Sequence, residues 1–84
     1  MVRVKVYGTL RLDSGVKELC AEADSIRALY PLILAEILRR CPEARITERQ
    51  LKACLVSVNG KPASPRTRLR DGDVVGFFPL AAGG

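Results

Sequence analysis

Residues 67–84 read TRLRDGDVVGFFPLAAGG, and the fold turns on where this closing stretch is placed. Leu69 is a lone apolar residue ahead of an Asp71-Gly72 turn, the setting of a core plug. From Asp73 to Phe78 the run is apolar and reads as a strand. Successive strand side chains point to opposite faces, so one of Phe77 and Phe78 enters the core and the other is left outside. Pro79 has no N–H to give to a ladder and ends the strand. Leu80, Ala81 and Ala82 then lead into Gly83 and Gly84. A terminal diglycine has two readings. It is a frayed end, as many termini are, or its carboxylate is the working group.

Working outward from there, residues 2–7 (VRVKVY) alternate strictly. Val2, Val4 and Val6 face one side, and Arg3, Lys5 and Tyr7 the other, which predicts a half-buried strand. Gly8 ends or bulges it, and Asp13-Ser14-Gly15 signals a turn. Residues 16–22 (VKELCAE) read as a second strand, with Val16, Glu18 and Cys20 alternating against Lys17 and Leu19. The two form a hairpin.

Residues 23–42 (ADSIRALYPLILAEILRRCP) carry a helix. Ser25 is its N-cap, and Ile26, Leu29, Ile33, Leu34, Ile37 and Leu38 fall on one stripe. Arg39 and Arg40 suit the negative end of the dipole. Pro31 is awkward, because a proline inside a helix costs ~3 kcal/mol or forces a kink. A helix beginning at Pro31 is the alternative. The stripe continues through it, so the reading taken is a helical start with a distortion there.

Residues 43–52 are a polar connector with room for one helical turn. Cys54, Val56 and Val58 then alternate with Leu55 and Ser57 in a strand. Asn59-Gly60 is the strongest turn signal in the chain. Pro62 and Pro65 keep the return segment short. The order strand, strand, helix, strand, short return, strand predicts a two-layer α+β domain with the helix on one sheet face. A last strand parallel to the first, in mid-sheet, would make it a β-grasp roll.

Composition narrows the chemistry. Eighty-four residues at 48% hydrophobic make one small folded domain. No apolar run approaches the ~20 residues that span a bilayer, and the alternating N-terminus is not a signal peptide. Both place the chain in the cytoplasm, with no membrane partner. Cys20, Cys41 and Cys54 lack metal-site spacing and read as buried, inert thiols. There is no histidine, so no Ser/His or Cys/His nucleophile exists. The carboxylates form no convergent pair, and unaided catalysis is not expected. Net charge is +5, with Arg66, Arg68 and Arg70 adding local positive potential. These arginines are a solvated face or a contact for an acidic protein. Nucleic acid is disfavoured, because no aromatic platform is interleaved with them.

Three stretches carry a family resemblance: the opening VRVKVYGTLR, the hairpin LVSVNGKPA and the closing TRLRDGDVVGFFPLAAGG. Together they resemble the ubiquitin-like β-grasp sulfur carriers MoaD and ThiS over nearly the whole chain. Phe77-Phe78-Pro79 leans towards MoaD, the small subunit of molybdopterin synthase. The resemblance implies a mixed four- to five-stranded sheet on one main helix, with a domain at 1–79 and a flexible tail at 80–84. It implies that the Gly84 carboxylate is adenylated and then converted to a thiocarboxylate. ATP and Mg²⁺ are used by the activating partner, a ubiquitin-activating-type (MoeB/ThiF-like) enzyme, and no cofactor is held tightly by the carrier. The large subunit of molybdopterin synthase (MoaE-like) is the second partner implied. Gly83 and Gly84 are the reacting end, and Phe78, Pro79, Leu80, Ala81 and Ala82 the partner contacts.

Residue chemistry fits that assignment. A terminal carboxylate has an unperturbed pKa of ~3.5 and is ionised at neutral pH. Two glycines without Cβ thread a narrow channel, and the alanines behind them stay slim. Two other roles remain open at this level. A protein modifier would join the same activated tail to lysines, and a ThiS-like carrier would serve thiamine synthesis.

Overall fold

The alternation at the head of the chain becomes strand β1 (Val2–Val6), with Val2, Val4 and Val6 buried and Arg3 exposed. A computed structural model describes residues 1–80. After β1 come α1 (Gly8–Ser14), β2 (Glu18–Ala21), α2 (Ile26–Arg40), α3 (Glu48–Lys52), β3 (Leu55–Val58), β4 (Lys61–Ala63) and β5 (Val74–Phe78). The five strands form one sheet in the order β2-β1-β5-β3-β4. β5 runs parallel to β1 and antiparallel to β3, so the last strand lies in mid-sheet and closes the β-grasp.

The helix lies on one face of this sheet. Ser25 has extended backbone and its Oγ accepts the Ala28 N–H at 3.3 Å, so α2 starts at its expected cap. Ile26, Leu29, Tyr30, Ile33 and Ile37 are buried, while Leu38 is left at the surface. The helix runs unbroken through Pro31, which sits on its exposed side. Pro31 cannot donate to the Arg27 carbonyl, and the buried stripe offsets that loss. Leu69 fills the core as expected, and Val75 and Phe77 are fully buried beneath the helix.

Three expectations are corrected: the simple turn after β1, and the length and the phase of the second strand. Between β1 and β2 the chain forms α1, not a simple hairpin turn. Gly15 caps α1 in the left-handed region, at φ 71°. The second strand is shorter than 16–22 and opposite in phase: Leu19 and Ala21 are buried while Glu18 and Cys20 face out. Val16 is buried as well, because the chain bends at Lys17 and resets the alternation. The helical turn allowed for in the polar connector does form, as α3, closed at its start by a capping box between Thr47 and Gln50.

The Asn59-Gly60 turn forms as read. Both residues have positive φ, 51° and 84°, which matches the twist of a two-residue hairpin between β3 and β4.

Candidate functional site

β5 delivers two consecutive phenylalanines to the end of the sheet. Phe77 points inward and is fully buried, its ring edge-on to Tyr30 with centroids 6.1 Å apart. Phe78 points to the open face and is 39% exposed. Its ring stacks on Tyr7, with centroids 4.5 Å apart and planes 2° from parallel. Tyr7 also donates its N–H to the Phe77 carbonyl at 3.1 Å, extending the β1–β5 ladder by one residue.

Leu55 lies across from Phe78 on β3 and is 59% exposed. Tyr7, Phe78 and Leu55 therefore form an apolar row across three adjacent strands at the end from which the chain leaves the sheet. Leu80, also exposed, follows two residues later. Exposed apolar side chains are ordinary singly; here three adjoin, which makes the row a candidate contact surface.

Glycines let the row lie flat. A Cβ on Gly76 would stand 2.9 Å from Ser57 Oγ and 3.0 Å from Phe78 Cε2. The Phe78 ring thus folds back over Gly76 in mid-strand. Gly8 has φ 63°, and a Cβ there would come within 3.0 Å of Pro79 Cγ. Pro79 is half-buried against it.

Of the site residues read from the sequence, Phe78, Pro79 and Leu80 come together at this edge. Ala81, Ala82, Gly83 and Gly84 lie outside the described residues. Tyr7, Leu55 and Gly8 were not anticipated. For the first two the signal was present: each is a large apolar residue on the outward phase of a strand.

The basic residues sit at the other end of β5. Arg70 and Asp73 bracket the turn that enters the strand, and Arg68 pairs loosely with Asp24 at 3.8 Å. Lys61, Arg68 and Arg70 line a groove of about 390 Å³ with Asp73. Asp73 is committed within the fold. It accepts the Arg70 N–H at 2.8 Å and the Asn59 side-chain amide at 3.0 Å, and these bonds, the first foremost, hold its carboxyl below the usual range.

The thiols correct another expectation. Cys20 is exposed on the open sheet face, opposite Arg3 in register, and Cys41 and Cys54 are half-buried. Burial pushes the Cys54 thiol up, and its Sγ donates to the Gln50 carbonyl at 3.3 Å. Among the described residues no cluster of three His, Cys, Asp or Glu side chains could hold a metal, and no helix is long and apolar enough to cross a membrane.

Solved structures with this fold include three of direct interest. The putative molybdopterin converting factor subunit 1 from Pyrococcus furiosus is 30% identical, with a TM-score of 0.60 over 93% of this chain and 94% of that one. The BexX/CysO complex of Amycolatopsis orientalis contains a chain 25% identical, with a TM-score of 0.63 and full coverage of both, 100% each. SAMP1 from Haloferax volcanii, at 21% identity and a TM-score of 0.64 over 99% and 98% of the two chains, shares the fold. Kinship to MoaD above the other branches is therefore not singled out by these neighbours. Among curated proteins none matches. The ThiS family model matches residues 4–84, nearly the whole length, and the chain belongs to the ThiS family of ubiquitin-like sulfur carriers.

Proposed function

We propose that this carrier serves molybdopterin synthesis, holding sulfur as a thiocarboxylate on Gly84. The observation that carries the reading is the apolar row of Tyr7, Phe78 and Leu55 beside the point where the chain leaves β5. An enzyme that must draw a slim tail into its active site needs a grip at the tail's root, and the row supplies about the right chemistry for one. The 30% identity to a putative subunit 1 of a molybdopterin converting factor supports the choice of pathway.

In this reading a ubiquitin-activating-type partner binds the row and holds ATP and Mg²⁺. A Gly84 carboxylate oxygen attacks the α-phosphorus, and pyrophosphate leaves. Sulfur of a donor persulfide displaces AMP, and a thiol reductively cleaves the resulting acyl disulfide to leave the thiocarboxylate. The large synthase subunit then takes the same tail. The carrier contributes a tail without side-chain bulk and a rigid root, and the groups that polarise phosphate lie in the partner.

The test is intact mass spectrometry after incubation with the activating enzyme, ATP and a sulfur source. The expected species has one oxygen replaced by sulfur, mapped to Gly84, and forms a complex with the large synthase subunit. Lysine conjugates in cell extract would point instead to a modifier, and binding to thiazole synthase to a thiamine role. Free acid alone, under conditions that convert a known carrier, would remove the reading.

A further inference from the structure

Gly8 opens α1 and Gly15 caps its end, and the two do different things. Gly15 has φ 71° and nothing stands within 4 Å of where its Cβ would be. A left-handed cap explains it fully. Gly8 has nearly the same φ, 63°, but its Cβ position is occupied by the Pro79 ring, 3.0 Å from Cγ and 3.4 Å from Cδ. A side chain at residue 8 would press on a residue more than seventy positions later, at the root of the tail, and the ring would have to give by a few tenths of an ångström.

Pro79 is a rigid object, with its ring fixed to its backbone at φ near −65°. Three successive residues at the root are held by two others. The Phe77 carbonyl accepts the Tyr7 N–H, the Phe78 ring stacks on Tyr7, and Pro79 rests on Gly8. One such contact would anchor the strand end. The three together also fix its heading.

We propose that Gly8 is a positioning residue for the tail: its bare backbone is the ledge on which Pro79 rests, and that contact sets the direction in which the chain leaves the sheet at residue 80. The inference rests on the carrier reading above. Residues 80–84 span at most about 17 Å when extended. A ring displaced by a Cβ at residue 8 changes the heading from which a partner must thread them, and a misplacement of about 1 Å at a reacting group costs about a hundredfold in rate. Gly8 touches no reacting group and acts through Pro79.

The experiment compares Gly8→Ala with Gly15→Ala, using the full chain, its adenylating enzyme and ATP–pyrophosphate exchange. Both variants put alanine at a left-handed residue beside α1, so both lose stability for the same backbone reason. Only Gly8→Ala meets Pro79. The expected result is a kcat lowered about tenfold or more for Gly8→Ala, with KM within about twofold, and wild-type kinetics for Gly15→Ala. The double variant Gly8→Ala/Pro79→Ala should lose less than the two single losses combined. Equal kinetics for the two glycine variants would overturn the ledge and leave the carrier reading intact.

Nuclear Overhauser contacts between the Gly8 α-protons and the Pro79 ring protons give a readout free of activity. Their absence in the wild-type protein would overturn the ledge as well. Should Gly8→Ala fail to fold, Pro79→Ala probes the contact from the other side, and an unchanged kcat there refutes the proposal. A wild-type chain that supports no exchange at all would bring down the carrier reading itself, and the ledge with it.

Discussion

The ring of Tyr7 lies parallel to the ring of Phe78, 4.5 Å away, although the two residues sit at opposite ends of the chain. The contact exists because β5 is parallel to β1 and in mid-sheet, which sets Val6 beside Phe77 and the next residues beside each other. An aromatic pair adds about 0.5–1.5 kcal/mol beyond its buried area. Tyr7→Ala should therefore lower stability by about 1 kcal/mol in chemical denaturation. It should weaken binding to the activating enzyme by about tenfold or more, since it removes one member of the docking row. Tyr7→Phe should do neither. Chemical denaturation of the three proteins checks the first statement, and calorimetric titration against the activating enzyme checks the second.

The two phenylalanines should separate stability from binding. Phe77 is fully buried against Tyr30, and Phe78 is more than a third exposed. Phe77→Ala leaves a cavity in the core and should cost about 3–5 kcal/mol. That is a large share of the 5–15 kcal/mol typical of a whole domain. Phe78→Ala should cost about 1 kcal/mol in stability, the worth of the lost aromatic stack. Its main effect should be on partner affinity. Urea unfolding followed by a binding titration distinguishes them: a Phe78→Ala chain that binds like wild type would remove the row from the docking surface.

Much of this was legible in the sequence, and the parts that were not have physical reasons. β1 and the stripe of α2 were readable because each buries one face, and burial leaves a period behind; β5, buried at three successive residues, was readable as a short apolar run closed by Pro79. α1 left no such trace. It is seven residues long, Leu10 is buried, and Leu12, two positions on, is 80% exposed. Two apolar residues at i and i+2 mimic a strand. The phase of β2 was lost for a related reason: Val16 and Leu19 are both buried, three positions apart, and only the bend at Lys17 permits it. At the site, alternation required one of Phe77 and Phe78 to face out, and the family resemblance chose Phe78. The roles of Tyr7 and Gly8 come from contacts across a parallel pairing of residues some seventy positions apart, which local pattern does not encode.

Gly76 offers a test of close packing on the open face. A Cβ there would stand 2.9 Å from Ser57 Oγ and 3.0 Å from the Phe78 ring. Its φ is not in the left-handed region, so the constraint is space and not backbone strain. Gly76→Val should force the Phe78 ring off the sheet and cost about 1–3 kcal/mol as overpacking. Combining it with Phe78→Ala removes the ring and leaves only Ser57 Oγ as an obstacle. The double variant should then be more stable than the sum of the two single effects, and a double-mutant cycle in chemical denaturation measures the coupling. Additive losses would mean that the ring does not rest on Gly76.

Acid should destabilise the fold through two named carboxylates. Glu36 accepts from Arg39 at 2.7 and 3.0 Å and from Arg40 at 2.7 Å. These bonds, those from Arg39 foremost, bring its pKa from an ordinary 4.5 down to about 2. Asp73 is lowered in the same direction by the Arg70 N–H and then by the Asn59 amide. In each case the folded pKa lies below the unfolded one. The stabilisation is full above the unfolded value, and it is lost as pH falls through the folded value, because the unfolded chain binds protons first. The melting temperature should be flat above about pH 5 and decline towards pH 2. Glu36→Gln should flatten part of that decline. Its part should also shrink in high salt, because the arginine cluster is at the surface. Asp73→Asn should flatten a further part and lower stability at neutral pH too, since Asp73 closes the β5 entry turn by accepting the Arg70 N–H and ties that turn to the hairpin by accepting the Asn59 side-chain amide. A melting temperature independent of pH over this range would show that neither carboxylate is held as described.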